Sequence, residues 1–439
     1  MTNTVWSKVT PTTFGFMQVA PTYASDDPRY SGFSPFTDQQ IAMARQAISL
    51  WGDVADIPFL ELRSSSAKIG FANSSTLDGS VAGHAYSPGS SNWSGDVWIN
   101  SAVNFNINPE IGDRGFYVLV HEIGHAIGLE HPGDYEASDG PVDFHTHAGS
   151  AEDTFQYSIM SYFSESYSGA DFGGFFAQSP MLNDIAEIQA LYSANMSTRT
   201  GDTIYDFAGN PAPVLSIWDA GGTDTIDVSS FHQNAVVNLI AGEFSNVAGL
   251  VKNLSIAHGA MIENAVTGSG DDTITGNAGD NIVDGGTGID TFMLSAFETD
   301  VQLIKLDTGL TLLNSALGTD QLAGIETIEF STSAIEVANQ IENSILEYGA
   351  SHFDLAEAFG ANKTQLLDHL LTLGLDEGRS IDFSALAYIS VNPDLQLAFG
   401  QDVEAGARHY IDHGRFENRS VGPESVHLVG VEAGDFLTA

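Results

Sequence analysis

The stretch "LVHEIGHAIGLEHPGDYEAS", residues 119–138, decides how this chain is read. Its approach, "FYVLVHEIGHAIGL", has the spacing of a helix with apolar residues at Val118, Leu119, Ile123 and Ile127. His121 and His125 are four apart, so they share one helical face with about 5–6 Å between their Cβ atoms. Two imidazoles at that separation can hold one zinc ion. His131 cannot join them from the same helix, because six residues advance about 9 Å and rotate about 600°. The helix has to stop and turn back. Gly128 tolerates the left-handed conformation that ends a helix, and Pro132 cannot continue one.

Glu122 is rotated about 100° from His121 on the helix. There it can lean toward a metal-bound water without ligating, which is the general-base position of an H-E-x-x-H motif. Three protein ligands leave a coordination position open for water, the mark of a catalytic rather than a structural zinc. The full pattern, H-E-x-x-H-x-x-G-x-x-H, fixes five positions at once.

The 439 residues exceed one ordinary core, so two or three domains are expected. With 14 Lys+Arg against 57 Asp+Glu, the formal charge is −43. That excludes nucleic acid and anionic membrane surfaces as natural partners. The 43% hydrophobic content belongs to a folded chain, so the acidity points to bound cations, for which carboxylates are the ligands of calcium. There is no cysteine, hence no disulfide framework and no thiolate at the zinc. The N-terminus lacks a basic region followed by an apolar run, and no stretch has the ~18–20 apolar residues of a membrane span.

Residues 37–54 read as an amphipathic helix with a Thr37/Gln40 capping box and a stripe of Ile41, Ala44, Ile48 and Trp51. "IPFLEL", "AKIGFA" and "GDVWIN" read as strands, the last as the edge along which an extended peptide could add. Residues 183–193 read as a helix presenting Ile185, Ile188 and Leu191 to a core. Between the two later helices, "YSIMSYFSE" places Met160 in a turn where it can floor the zinc ligands, with Tyr162 two residues on.

From about residue 200 the composition shifts to Gly, Asp and short β-branched runs. Residues 267–293 repeat at nine: "TGSGDDTIT", "GNAGDNIVD", "GGTGIDTFM". This is the nonapeptide of a parallel β-roll, with Ile274, Val283 and Phe292 stacking inward. Turns on one side are eighteen residues apart, so "GSGDD" and "GTGID" can sandwich one ion. "NAGDN" meets only "SAFET" at that distance. Residues 345–421 hold another repeat, offset by 40: "YGASHFDLAEAFG" aligns with "YISVNPDLQLAFG", and His369, Gly374, Arg379 and Ser380 recur as His409, Gly414, Arg419 and Ser420. Both copies read as pairs of short helices.

Over residues 35 to about 295 the sequence resembles the serralysins, calcium-dependent secreted zinc metalloproteases within the metzincins. The resemblance rests on the zinc motif continuing as "HPGDY", the approach "AEDTFQYSIMSY" and the exit "DIAEIQALYSANMSTRTGDTIY". It implies zinc ligands His121, His125 and His131, base Glu122, Met-turn residue Met160 and Tyr162 as a movable fifth ligand. It also implies several structural calcium ions. Their residues would be Arg199, Gly201 and Thr203; Asp219, Gly221, Gly222 and Asp224; and Met261 and Glu263, where the family usually has Thr in place of Met261. In the nonapeptides they would be Gly268, Gly270 and Asp272, then Asn277, Gly279 and Asn281, then Gly286, Gly288 and Asp290.

The expected fold is an α+β metzincin-like protease domain, an all-β parallel β-roll domain and a small α-helical repeat region. The expected boundaries are 1–36 for an N-terminal extension and candidate propeptide, 37–198 for the protease, and 199–340 for the calcium-binding β-roll and β-sandwich. Residues 341–424 would hold the helical repeats and 425–439 a C-terminal secretion signal. The function this implies is zinc-dependent endopeptidase action on protein or peptide substrates, outside the cell. Export would run through a type I machinery that reads the acidic and apolar tail at Asp435, Phe436 and Leu437. The alternative is a calcium-dependent cell-surface or surface-layer binding protein with secondary protease activity, its repeats taking a cell-surface ligand.

Overall fold

The computed structural model describes residues 4–63, 67–79, 81–136, 140–340, 342–417 and 419–422. The tail expected to carry a secretion signal therefore lies outside the described residues. The chain divides into two compact units, residues 1–277 with 284–293, and residues 278–283 with 294–439.

The first unit begins with one sheet. Its strands are β1 (Thr12–Phe16), β2 (Phe33–Ser34), β3 (Phe59–Glu61), β4 (Ile69–Ser74), β5 (Gly83–Ala85) and β6 (Val97–Asn100). The order is β3-β1-β4-β6-β5, with β2 paired to β4. β1, β3, β4 and β6 run parallel, and β5 closes one edge antiparallel to β6. β4 and β6 are buried along their whole length, as parallel strands covered on both faces must be. β1 lies between β3 and β4, inside the segment that the sequence places ahead of the protease domain.

The edge expected at "GDVWIN" is corrected. That stretch is β6, an interior strand, and the edge is β5. The three residues of β5, Gly-His-Ala, carry no β-branched side chain and no alternation, so nothing in the sequence marked them as a strand.

Helix α1 spans Asp38–Val54 and starts at the expected capping box: Gln40 N–H donates to Thr37 Oγ1 (3.2 Å) and Thr37 N–H to Gln40 Oε1 (2.9 Å). Its buried stripe is Ala44, Ala47, Ile48, Trp51 and Val54, and Ile41 is only half-buried. Helix α2, Arg114–Ile127, is capped by Asp113, whose carboxylate accepts from Phe116 N–H (2.8 Å). It is apolar on nearly every side because it packs on α1 and on the sheet, burying Phe116, Leu119, Ile123 and Ile127. Trp51 Nε1 reaches across from α1 to Val120 O (3.1 Å). After a single-turn helix α3 (Phe144–His147), α4 spans Leu182–Tyr192. Ile185 and Ile188 are buried as expected, but Tyr192 rather than Leu191 completes the face, and its hydroxyl donates to Ile127 O (2.8 Å).

Beyond α4 come three-residue strands in parallel pairs. Thr225–Asp227 pairs with Ile204–Asp206 and Asn264–Val266, Leu215–Ile217 with Leu254–Ile256, and Thr273–Thr275 with Val236–Asn238 and Thr291–Met293. Ile274 stands opposite Phe292, the register that a nine-residue half-turn requires. Ile274, Val283 and Phe292 are all buried.

In the second unit, Gln302–Leu306, Thr311–Ser315 and Gly318–Ala323 form an antiparallel meander that the sequence did not announce. Six short helices follow in two copies. They are α5 (Ile345–Ser351), α6 (Phe353–Phe359) and α7 (Lys363–His369), then α8 (Ala385–Val391), α9 (Pro393–Phe399) and α10 (Val403–Asp412). Their common core includes Leu346, Tyr348, Leu366, Tyr388 and Tyr410 together with Ile304, Leu306 and Leu312 of the meander.

Candidate active site

His121 and His125 lie one turn apart on α2, and Gly128 ends that helix with φ +113°. The chain then doubles back to His131. One ring nitrogen from each of the three lies within 4.8 Å of the others. The opposite nitrogens explain why. The Nδ1 atoms of His121, His125 and His131 face the backbone carbonyls of Ile159 (2.8 Å), Leu129 (2.9 Å) and Tyr135 (2.9 Å). A carbonyl only accepts, so each Nδ1 carries the proton and each Nε2 presents a lone pair. The Nε2 atoms of His125 and His131 are 3.0 Å apart. Two lone pairs at that distance repel unless a cation lies between them. Burial also holds the rings neutral, pushing the His121 pKa down to about 3 with help from His131, and that of His125 well below its ordinary value. The donor set therefore fits a zinc ion, and carbonyls behind each imidazole are its usual outer shell.

Met160 lies beneath the ligands, fully buried. Gly124, inside the H-E-x-x-H motif, is what admits it. A Cβ there would stand 2.6 Å from Met160 Sδ and 3.3 Å from Trp51 Cζ2. The turn carrying Met160 is fastened by Asp184 of α4, which accepts from Ser158 Oγ (2.6 Å), Ile159 N–H (2.7 Å) and Met181 N–H (2.8 Å). Tyr117 Oη donates to Ile159 O (2.7 Å), so the carbonyl that orients His121 is itself braced. The Tyr162 ring is 4.5 Å from the His131 ring and 6.0 Å from that of His121.

Glu122 is buried against the edge strand. A Cβ on Gly83 would stand 2.7 Å from its Oε1, so only glycine leaves it room. Burial, and secondarily Glu136, pushes its pKa up to about 8 before any cation is counted. A cleft of about 910 Å³ runs past Glu122, the three histidines and Tyr162, walled by β5. A cavity of about 590 Å³ adjoins it on the side of Tyr117, Val118, Phe155 and Phe176. The structure brings together His121, His125, His131, Glu122 and Tyr162, all singled out in the sequence, with Met160 close by. Sequence reasoning missed Gly83, Gly124, Tyr117 and Asp184. The only signal for Asp184 was its place three residues into a helix.

Several of the expected calcium positions lie together. Thr203 N–H donates to Asp224 Oδ1 (2.8 Å), Asp224 N–H to Glu263 Oε2 (2.7 Å), and Gly221 N–H to Asp219 Oδ1 (2.9 Å). Asp272 N–H donates to Asp290 Oδ1 (2.8 Å), while Gly286 and Gly288 lie over the carbonyls of Gly268 and Gly270. Asp224 Oδ2 and Asp272 Oδ2 are buried with no hydrogen-bond partner among the described residues. The Arg199 side chain instead pairs with Asp53 (2.6 Å) and Trp218 O. The Met261 side chain is half-exposed, and the Asn277 amide donates to Ile262 O (2.8 Å). These three could contribute only through backbone or other oxygens.

A matrixin family profile matches residues 33–139, and a peptidase M10 serralysin C-terminal profile matches residues 194–354. Serralysin G of Dickeya chrysanthemi is 44% identical over 299 residues, 64% of this chain and 62% of that protein. Metallopeptidase AprA of Pseudomonas marginalis is 41% identical over 291 residues, 62% of this chain and 61% of that one. Both matched regions are thus similar to serralysin-type metzincins. The chain spans about three fifths of the length of the curated relatives it matches. In that family a centre of three histidines such as His121, His125 and His131 implies zinc. Among the described residues no helix is long and apolar enough to cross a membrane.

Proposed function

We propose that the chain is a secreted zinc metalloendopeptidase that hydrolyses protein substrates. The observation that carries this reading is the set of three carbonyl-braced imidazoles with Glu122 beside them in an open cleft. Zinc held by His121, His125 and His131 would acidify a water toward a pKa of about 7 and polarise the scissile carbonyl. Glu122 takes the proton from the attacking water and delivers it to the leaving amine. Tyr162 hydrogen-bonds to the oxygen on which negative charge develops. The substrate lies extended along β5. Tyr86 N–H bonds Asp96 O and Asn100 N–H bonds Ala82 O, so alternation leaves the N–H and C=O groups of Gly83 and Ala85 facing outward for an added strand. Casein zymography tests the reading: a cleared band that disappears with a zinc chelator supports it, and no clearing by zinc-loaded protein refutes it.

Calcium at the positions gathered between residues 199 and 290 stabilises the β-rich region on this reading, since the carboxylates there repel without cations. Chelating calcium then exposes residues 200–300 to limited proteolysis before residues 37–198. Equal protection in both states contradicts it. The same reading divides the chain at about residues 36, 198, 340 and 424. It places the export signal in residues 425–439 and leaves the helical repeats free for a cell-surface ligand. Deleting residues 430–439 then holds the protein in the cells while the purified enzyme stays active.

A further inference from the structure

Three pairs of turns in this chain share one hydrogen-bond pattern. In the nonapeptides, Ile289 N–H donates to Asp271 Oδ1 (2.9 Å), Asp272 N–H to Asp290 Oδ1 (2.8 Å) and Thr291 N–H to Asp272 O (2.8 Å). Ahead of them, Thr223 N–H donates to Asp202 Oδ1 (3.0 Å), Thr203 N–H to Asp224 Oδ1 (2.8 Å) and Thr225 N–H to Thr203 O (2.9 Å). The third pair lies wholly in the second unit. Thr319 N–H donates to Asp280 Oδ1 (2.8 Å), Asn281 N–H to Asp320 Oδ1 (3.1 Å) and Gln321 N–H to Asn281 O (2.8 Å).

The backbone agrees. Gly222, Gly288 and Gly318 have φ of +147°, +151° and +130°, and each precedes an aspartate by two residues. Each presses on the carbonyl of the opposing turn: Gly201, Gly270 and Gly279 respectively. A Cβ on Gly318 would stand 2.8 Å from Gly279 O. "GTD" at 318–320 therefore takes the place that the nonapeptide period leaves unfilled, 39 residues along the chain rather than 18. The segment between them runs through the first two strands of the meander and returns.

We propose that Gly279, Asn281, Gly318 and Asp320 form a further divalent-cation site of calcium type, its halves joined only by the fold. The carbonyls come from the two glycines, and the side-chain oxygens from Asn281 and Asp320. Asp320 is buried, 2% exposed as a residue, and its Oδ1 accepts from Asn281 N–H (3.1 Å). Among the described residues no basic side chain offsets it. Burial, then Asp280, raises its pKa to about 7. A buried carboxylate with so little compensation is costly unless a cation neutralises it. Asn281 stands where the other pair has Asp272, so this site offers one ring carboxylate instead of two. Affinity for calcium follows ligand charge, so it fills after the Asp272/Asp290 site.

The site rests on the calcium reading above, and one experiment separates the two. The full chain is stripped with a chelator, and calcium per chain is counted by native mass spectrometry during titration, for wild type, Asp290→Asn, Asp320→Asn and Asn281→Asp. The expected result is one ion fewer for each aspartate variant. For Asn281→Asp it is an unchanged count, with the last ion binding roughly tenfold more tightly because a second carboxylate is added. Asn281→Asp also decides the matter if Asp320→Asn does not fold. Loss of an ion in Asp290→Asn, with wild-type counts and affinities in Asp320→Asn and Asn281→Asp, overturns this site alone. No calcium on any variant or on wild type overturns the calcium reading and the site with it.

Discussion

The histidines of the cleft and those of the helical repeats are the same side chain used in opposite ways. In the cleft, every Nδ1 is spent on a backbone carbonyl, and the Nε2 atoms converge. In the repeats, His369 and His409 turn Nδ1 to a phenol instead, Tyr348 Oη at 2.9 Å and Tyr388 Oη at 3.0 Å. The His413 ring lies 5.5 Å from that of His409, but among the described residues neither repeat histidine belongs to a group of three potential metal ligands. Gly374 and Gly414 recur because a Cβ there would collide with the same tyrosine hydroxyls. Arg379 and Arg419 recur as partners of Asp354 and Asp394. His352 Nε2 and Asn392 Nδ2 hold the carbonyls of Ser380 and Ser420. The 40-residue repeat is thus kept in phase by packing and pairing. A histidine becomes a metal ligand through what orients its other nitrogen, not through its presence in a motif.

The sharpest way to break this contrast is Glu122→Ala. Removing the base should slow peptide hydrolysis by ~10²–10⁴-fold while one zinc per chain is retained by metal analysis and the fold survives by circular dichroism. Near-wild-type turnover would remove Glu122 from the mechanism. Gly124→Ala probes the floor of the cleft. Its methyl group overlaps Met160 Sδ, so it should cost about 1–3 kcal/mol by thermal denaturation; an unchanged melting temperature would show that Met160 does not press on α2.

The repeat side gives smaller effects. His409→Ala deletes the partner of a buried tyrosine and should cost about 1–2 kcal/mol, read by denaturant unfolding, with proteolysis at the wild-type rate. A fall in proteolysis would make this histidine functional after all. Smallest is a pH effect. Burial lowers the His409 pKa below its ordinary 6.5, so the unfolded chain binds the proton first as pH falls. Its stabilisation is present above about pH 6.5 and declines below it. His409→Gln should flatten that slope slightly, and an unchanged pH profile between 7 and 5 would refute the assignment.

Much of this was readable before any coordinates, because it depends on short-range geometry. Four residues make a helical face, so His121 and His125 had to be neighbours. Gly128 and Pro132 had to end their helix. Nine residues make half a β-roll turn, so Ile274 had to meet Phe292. A 40-residue offset had to mean two copies of one module. Each of these follows from bond geometry and side-chain periodicity within a stretch of chain. What the sequence left undetermined depends on segments distant along it. Gly83 had to be brought under Glu122, and the carbonyl of Ile159 behind the His121 imidazole. β5 rather than β6 had to lie at the sheet edge, with β1 between β3 and β4. Asp320 had to return 39 residues to meet Asn281. No periodicity encodes such meetings. They are set by which surfaces the chain must bury and by how its loops close, and those are decided only when the whole unit packs.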